Sequence, residues 1–350
     1  MVAEKRLILL GFGAVGTRVA ELLPRFCDDA TTFRIVGVSD SGGGVVCERA
    51  DGLDLDALLK HKRAGKSVAS FCEGNVRAVR DSAELYDAAM ECCGEKLDIV
   101  VDLSPVNLTT GGPSLPILLS AAKNGVSLVL ANKAPLVIAY KRLAETSKAS
   151  GAEMAFSATV CGGLPVVNVG RRDLACATFH RIAGIFNSTT NYILTEMEAG
   201  RDRDEALRHA QQVGIAEADP SLDIEGFDTA NKLVIIANAV LGVDATLADC
   251  SVTGIQSVTS EDVREAAARS ECVRLIASAN RRQDGSGYDL CVQPECVPRA
   301  SFFGSCVESS MCVTFETDIF ENVDMKTDEK GVYPTAAAVL RDCRMLMLGK

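Results

Sequence analysis

The sequence predicts an α/β protein with a doubly wound parallel sheet, followed by a second α/β (α+β) unit. Three observations predict it. Short apolar strands alternate with helix-patterned segments over the first 150 residues or so. A tight glycine turn joins the first strand to the first helix. After that stretch the pattern changes, first to mostly helix and then to mostly strand. Strands that alternate with helices need crossover connections, and crossovers make a parallel sheet.

Taken in order, "RLILLGFGAVGTRVAELL" (Arg6–Leu23) reads as strand, turn and helix, and "FRIVGVSD" (Phe33–Asp40) as a second strand. "KLDIVVDL" (Lys96–Leu103) and "GVSLVLAN" (Gly125–Asn132) are further apolar strands. Helical patterns cover Leu53–Arg63, Ser82–Cys93 and Ser114–Asn124. "EMAFSATV" and "HRIAGIF" read as strands, and helices dominate from Ser188 to Val243. "ECVRLIASA", "GYDLCVQPECV" and "MCVTFETD" predict an antiparallel sheet, and "DMKTDEKG" a surface turn. "YPTAAAVLRDCRMLML" is a closing helix with a proline at its start, where the missing N–H costs nothing. The expected domains are 1–150 with 330–350, and 151–329.

Composition narrows the function. The net charge is −11, from 36 basic and 47 acidic residues. A general nucleic-acid or anionic-membrane surface would need a basic face, so neither partner is expected. No apolar run reaches the roughly 18 residues that span a bilayer. No targeting segment is read before the first strand. The 14 cysteines form no zinc-type CxxC pairs, and Cys92 and Cys93 are adjacent, poor geometry for a mutual disulfide. They read as reduced thiols of a cytoplasmic protein. His61, His180 and His209 have no metal-binding spacing.

Gly11-Phe12-Gly13-Ala14-Val15-Gly16 follows a strand and opens a helix, the context of a Rossmann-type dinucleotide site. Gly11 permits the turn, Gly13 lets the backbone approach a pyrophosphate, and Gly16 lets the helix pack on the strand. Asp40 ends the second strand, placed to accept hydrogen bonds from an adenosine ribose, which favours NAD. "SDSGGG" reads as an open loop that can also admit a 2′-phosphate, so NADP stays open. A purely structural glycine turn is the alternative.

Lys133, in "LANKAPL", ends a predicted strand at the sheet edge where ligands bind; a solvated loop lysine is the alternative. Lys232 stands out more. "EADPSLDIEGFD" puts five carboxylates into twelve residues, and a nearly all-apolar helix follows. Asp228 and Lys232 are four apart, on one helix face. An exposed ion pair explains that spacing, but the run "LVIIANAVLGV" marks a buried helix. A lysine at its head is partly desolvated and needs partners, with Asp228 nearest and Glu217, Asp219 and Asp223 adding charge. Burial lowers a lysine pKa while carboxylates raise it. So balanced, Lys232 can give a proton to a developing alkoxide, and the carboxylates can hold a substrate ammonium. A structural network is the competing reading.

These residues carry a resemblance. "GFGAVG", "ANKAPL", "SATVCGGLP", "GIFNSTTNYIL", "GIAEADPSLDIEGFDTANKL" and "YPTAAAVLRD" occur in the order and spacing of the homoserine dehydrogenases. Over nearly its whole length the chain resembles the short members of that family. The resemblance implies interconversion of L-aspartate 4-semialdehyde and L-homoserine with NAD(P)H, on a homodimer. It implies a Rossmann domain completed by the C-terminal helix, and a second domain for substrate and dimerisation. Lys232 then serves the substrate oxygen as proton donor or acceptor, and Lys133 binds and polarises the substrate. Glu217 and Asp228 bind homoserine mainly at its amino end, Asp223 supports them, and Thr189 contacts substrate. Ser104, Asn107, Thr109, Asn132 and Lys133 lie along the cofactor.

The chain departs from the family pattern at Cys161 and Ser188, where glycine is usual, and at Ala134, where glycine is common. "MKTDEKGVYPTA" lacks a glycine-rich loop. Ser157 replaces a glutamate that helps hold a monovalent cation (Na or K), leaving the carbonyls of Val160 and Gly162 as its ligands. The departures motivate two other readings: a weakened dinucleotide-binding homologue acting as a sensor, and a dehydrogenase of another amino-acid aldehyde. Cys161 is either an inert small side chain or an oxidation-sensitive one. No ACT-type or kinase domain is expected, hence no threonine feedback.

Overall fold

The computed structural model describes residues 3–28, 31–49, 51–93 and 97–347. They fall into two compact units, residues 1–163 with 331–350, and residues 164–330.

The first unit holds β1 (Ala3–Leu10), α1 (Ala14–Leu22), β2 (Thr31–Asp40), β3 (Gly43–Cys47), α2 (Leu55–Arg63), β4 (Val76–Val79), α3 (Ser82–Cys93), β5 (Leu97–Asp102), α4 (Ser114–Lys123), β6 (Ser127–Leu130), α5 (Ala134–Ser150) and β7 (Met154–Ala155). Lys96, the expected first residue of β5, lies outside the described residues. The strand order is β4-β3-β2-β1-β5-β6-β7. Strands β2, β1, β5, β6 and β7 run parallel. The chain leaves β1 on one side for β2 and returns on the other as β5. That reversal opens a crevice at the carboxyl ends of β1 and β5, where this sheet type binds ligands. Its strands are buried on both faces: Leu7, Ile8, Leu9, Val100 and Val101 are all at most 1 % exposed.

Three expectations need correction here. "SDSGGG" is no open loop: Gly43 begins β3, which pairs antiparallel with β2, Asp40 opposite Gly43. Its apolar "VVC" end is fully covered, so it pairs and packs instead of standing in solvent. "EMAFSATV" is strand only at Met154–Ala155 and then tightens into a 3₁₀ turn, Ser157–Thr159. The reason is local: Ser157 N–H donates to Asp342 Oδ2 at 2.7 Å and has left the sheet ladder. The "DMKT" of "DMKTDEKG" completes a strand of the second unit, described below. The closing helix, Tyr333–Met347, packs Ala336, Val339, Leu340 and Cys343 into the core of the first unit.

The second unit holds α6 (Val166–Asn168), β8 (Phe179–Ile185), α7 (Ser188–Glu198), α8 (Arg203–Gln212), α9 (Ser221–Ile224), α10 (Phe227–Val240), β9 (Cys250–Val252), α11 (Ser260–Ala268), β10 (Glu271–Arg281), β11 (Tyr288–Pro298), β12 (Met311–Thr317) and β13 (Glu321–Thr327). The strand order is β13-β12-β8-β10-β11-β9. The sheet is antiparallel apart from the short parallel pair β11/β9. Strand β8 lies between β12 and β10, so "HRIAGIF" is the centre of this sheet. Gly184 is needed there, because a Cβ would run into the Phe186 ring and the Cys312 carbonyl. The sheet carries a buried cation: fully covered Arg274 pairs with Glu198 and donates to Cys306 O at 3.0 Å.

Candidate active site

The glycine turn has the geometry its spacing predicts. Gly11 has φ +110°, and a Cβ there would stand 2.5 Å from Leu103 O. At Gly16 a Cβ would collide with Gly11 O. Gly13 is different: nothing lies within 4 Å of its would-be Cβ. Gly11 and Gly16 are therefore required by the fold, whereas Gly13 keeps space open. Phe12 turns into the core and Val15 packs beside it, while Gly13 and Ala14 face solvent. The N–H groups of a first helical turn have no partner within the helix. With no side chain over them, they suit a pyrophosphate. The residues present fit a dinucleotide.

Asp40 ends β2 with its carboxylate engaged. Oδ1 accepts from Gly42 N–H at 2.8 Å, and Oδ2 pairs with Lys62 of α2. Burial works to raise its pKa, but the Lys62 ammonium and the Gly42 and Val68 N–H groups outweigh it and hold the acid below its usual range. A ribose hydroxyl at Asp40 thus meets a carboxylate with a lysine beside it. Lys62 was not singled out from the sequence; the basic run Lys60–Arg63 closing α2 was the signal.

At the carboxyl ends of β5 and β6 a polar knot forms. Asp102 is fully buried, and its Oδ1 accepts from Ser104 N at 3.0 Å and Ser104 Oγ at 2.6 Å. Asn132 Nδ2 donates to Ser104 Oγ at 3.1 Å, and Asn132 Oδ1 accepts from Ala134 N at 3.0 Å, just ahead of α5. Burial pushes the Asp102 carboxyl up against the pull of these donors. Ser104 and Asn132 are thereby brought together at the crevice. Lys133 follows Asn132 directly, half-buried at the head of α5. Asn107 and Thr109 lie in the exposed loop after β5, where Asn107 Oδ1 accepts from Thr109 N–H at 3.1 Å.

In the second unit the acidic segment and Lys232 meet around one side chain that the sequence reading passed over, Asn187. Its Oδ1 caps α7, accepting from Thr190 N–H at 2.8 Å. Its Nδ2 donates to Asp223 Oδ1 at 2.6 Å and to Asp228 Oδ2 at 2.8 Å. Lys232 Nζ closes the array, 2.7 Å from Asp228 Oδ2 and donating to Phe186 O at 2.5 Å. Both side chains of that ion pair are only 12 % exposed. Helix α10 places them: Asp228 and Lys232 share one face while Leu233–Ala237 are fully buried. Asp223 comes from α9. Burial and the nearby Asp228 raise its pKa, against hydrogen bonds from Asn187 and Thr189 and the Lys232 charge. Thr189 Oγ1 also donates to Ile215 O at 3.2 Å, tying α7 to the segment after α8.

Glu217 is not part of this array. It lies exposed on the segment between α8 and α9, and among the described residues its carboxylate makes no hydrogen bond to the cluster. Asp219 is exposed too and turns to Ser221 N at 3.1 Å. The five clustered carboxylates therefore divide: Asp223 and Asp228 enter the array, and the others do not. Asn187 had a sequence signal, a capping residue just before the periodic run of α7.

The expected cation ligands, Val160 and Gly162, lie in the turn after β7. Ser157 is claimed by Asp342, and Arg341 of the closing helix donates to Ser157 Oγ at 3.0 Å and to Gly163 O at 3.2 Å. Among the described residues no group of three or more His, Cys, Asp or Glu side chains could hold a metal ion. No helix among them is long and apolar enough to cross a membrane.

Comparison with known proteins places these features in a family. The family model described as homoserine dehydrogenase matches residues 165–343, and one described as glutamate/leucine/phenylalanine/valine dehydrogenase matches residues 1–102. A homoserine dehydrogenase of Methanocaldococcus jannaschii is 37 % identical over 96 % of both chains. An NAD(+)-dependent homoserine dehydrogenase of Pseudomonas canavaninivorans is 30 % identical, covering 97 % of this chain and 96 % of that one. The solved homoserine dehydrogenase of Thermoplasma acidophilum superposes with a TM-score of 0.82 at 26 % identity, over 99 % of this chain and 100 % of that one. The chain belongs to the homoserine dehydrogenase family.

Proposed function

We propose that the chain catalyses NAD(P)-dependent interconversion of L-homoserine and L-aspartate 4-semialdehyde, with residues 164–330 holding the substrate through the Asn187 array. One observation carries this reading: a largely buried ammonium, Lys232, sits in the same hydrogen-bonded array as two carboxylates. With both acids ionised the array carries one net negative charge, which suits the ammonium of an amino acid. Burial and Asp228 hold Asp223 towards its protonated form until such a cation arrives. An incoming ammonium lowers that pKa again and completes the pair.

Residues 1–163 with 331–350 serve the dinucleotide: Gly13 and Ala14 take the pyrophosphate, Asp40 the ribose, and Ser104, Asn107, Thr109 and Asn132 the nicotinamide side. The dinucleotide, when bound, supplies the hydride chemistry. Lys232 handles the proton at the substrate oxygen, and its carbonyl and carboxylate partners orient the ammonium for that transfer. Lys133 binds and polarises the substrate, Asp228 takes the amino group with Asp223 beside it, and Thr189 packs against the substrate. Glu217 joins them from its exposed segment. The protein acts in the cytoplasm, in keeping with 14 cysteines that form no disulfide, and as a homodimer. Exposed Ile319 and Phe320 at the β12–β13 turn support self-association.

The test compares L-homoserine with 4-hydroxybutyrate, the same alcohol without its amino group. An ammonium held by charged hydrogen bonds is worth about 1.5–3 kcal/mol, so kcat/KM is expected to fall about 10- to 100-fold for the analogue. Equal turnover of the two alcohols would remove the ammonium site from the account and favour a dehydrogenase of another alcohol.

A further inference from the structure

The turn from Phe156 to Gly163 is buried and conformationally demanding. Ser157 and Val160 are fully covered, and Cys161 is 2 % exposed. Cys161 and Gly162 both have positive φ, +55° and +58°. Two left-handed residues in succession, one with a side chain, persist only where the surroundings hold them. The surroundings here are two neighbouring residues of the closing helix. Asp342 is fully buried and accepts twice from Ser157, N–H at 2.7 Å and Oγ at 2.6 Å. Arg341 spans the turn, with Nη2 donating to Ser157 Oγ at 3.0 Å and Nη1 to Gly163 O at 3.2 Å.

We propose that the Arg341 guanidinium is the resident cation of this turn, so that the protein needs no monovalent metal ion there. A cation that organises a turn of backbone carbonyls requires acceptors and a compensating negative charge. In this chain Arg341 takes the Ser157 hydroxyl at one end of the turn and the Gly163 carbonyl at the other, and the Asp342 carboxylate beside it accepts from Ser157. With serine at 157, residues 156–163 carry no carboxylate of their own to offset a metal ion beside a guanidinium. Arginine is always protonated and its planar fork reaches two acceptors at once, so it performs a bridging task that a bound ion would otherwise perform. Asp342 and Arg341 are adjacent in sequence, so one turn of helix delivers both charges.

The inference rests on contacts within one unit of the fold, and its melting test does not depend on the reaction assigned above. The full-length protein is melted in sodium, potassium and tetramethylammonium chloride at equal ionic strength, and its dinucleotide turnover is followed in the same three salts. The expected result is one Tm and one rate in all three. A saturable rise in Tm or rate with sodium or potassium, absent with tetramethylammonium, overturns the proposal. The melts are repeated on Arg341→Ala and Arg341→Lys. Arg341→Ala is expected to melt about 5 °C or more below wild type, with Arg341→Lys between. An Arg341→Ala protein that melts like wild type removes the clamp and overturns the proposal. If Arg341→Ala does not fold, Arg341→Lys takes its place: a lower Tm supports the proposal and an unchanged Tm contradicts it. Melting needs no substrate, so a failure of the homoserine assignment is seen separately.

Discussion

Lys232→Arg is expected to lower kcat for homoserine oxidation by about 10²–10⁴-fold, the range that a positioned acid–base group contributes. The substitution keeps the positive charge beside Asp228 but removes the ability to give up a proton, because a guanidinium does not deprotonate in the working range. It thus separates proton transfer from electrostatics. Lys232→Ala should be as inactive and also less stable. It strips Asp228 of the ammonium 2.7 Å away and leaves a carboxylate whose side chain is 12 % exposed, bonded by Asn187. Breaking a buried pair by removing one partner costs about 3–5 kcal/mol. Dinucleotide binding, followed by nicotinamide fluorescence, should survive Lys232→Arg. A Lys232→Arg enzyme that keeps wild-type kcat would show that Lys232 only balances charge.

Asn187→Ser is expected to raise the KM for homoserine and to shift its pH dependence upward. Serine still caps α7, so helix formation is retained. The shorter side chain withdraws the amide that bonds both Asp223 and Asp228. Asp223 is already raised by burial and by Asp228, and the Asn187 bond is among the effects pulling it down. Removing that bond lifts it further. Asp223 holds an ammonium only when ionised, so substrate binding strengthens as pH rises through its pKa, and the variant needs a higher pH. The stability sign is opposite. A carboxyl raised in the folded state contributes stability that is full below its unfolded value and is lost as pH rises through the folded one. The variant therefore widens the pH range over which stability falls and loses more of it at high pH. Asn187→Ala, which loses the cap as well, should cost a further 0.5–2 kcal/mol or about that. KM–pH profiles for the three proteins check this; superimposable profiles would take Asn187 out of the substrate site.

The legible part of this protein was whatever depends on short-range pattern. Strand–turn–helix at Gly11–Gly16 follows from steric needs that act within a few residues, and the structure keeps each of them. Asp228 and Lys232 pair because a helix brings i and i+4 together. Illegible were the partners that come from far along the chain. Lys62 reaches Asp40 across 22 positions, and Asn187 reaches Asp228 across 41. Asp342 reaches Ser157 across 185 positions and, by doing so, ends a strand that the local residues alone would continue. Hairpin β2–β3 was hidden because glycines that mark a loop also mark the start of a strand that approaches its neighbour closely. Glu217 shows the converse: a carboxylate close in sequence to Asp223 and Asp228 stands apart from their hydrogen-bonded array.

The measurement that tests the central claim most directly is absorbance in the reduced-nicotinamide band, with purified wild-type protein, L-homoserine, and NAD or NADP supplied in turn. The account predicts homoserine-dependent growth of that band with at least one of the two. A protein that binds the dinucleotide but produces no reduced nicotinamide from homoserine with either would contradict it, and would leave a dinucleotide-binding protein of another role.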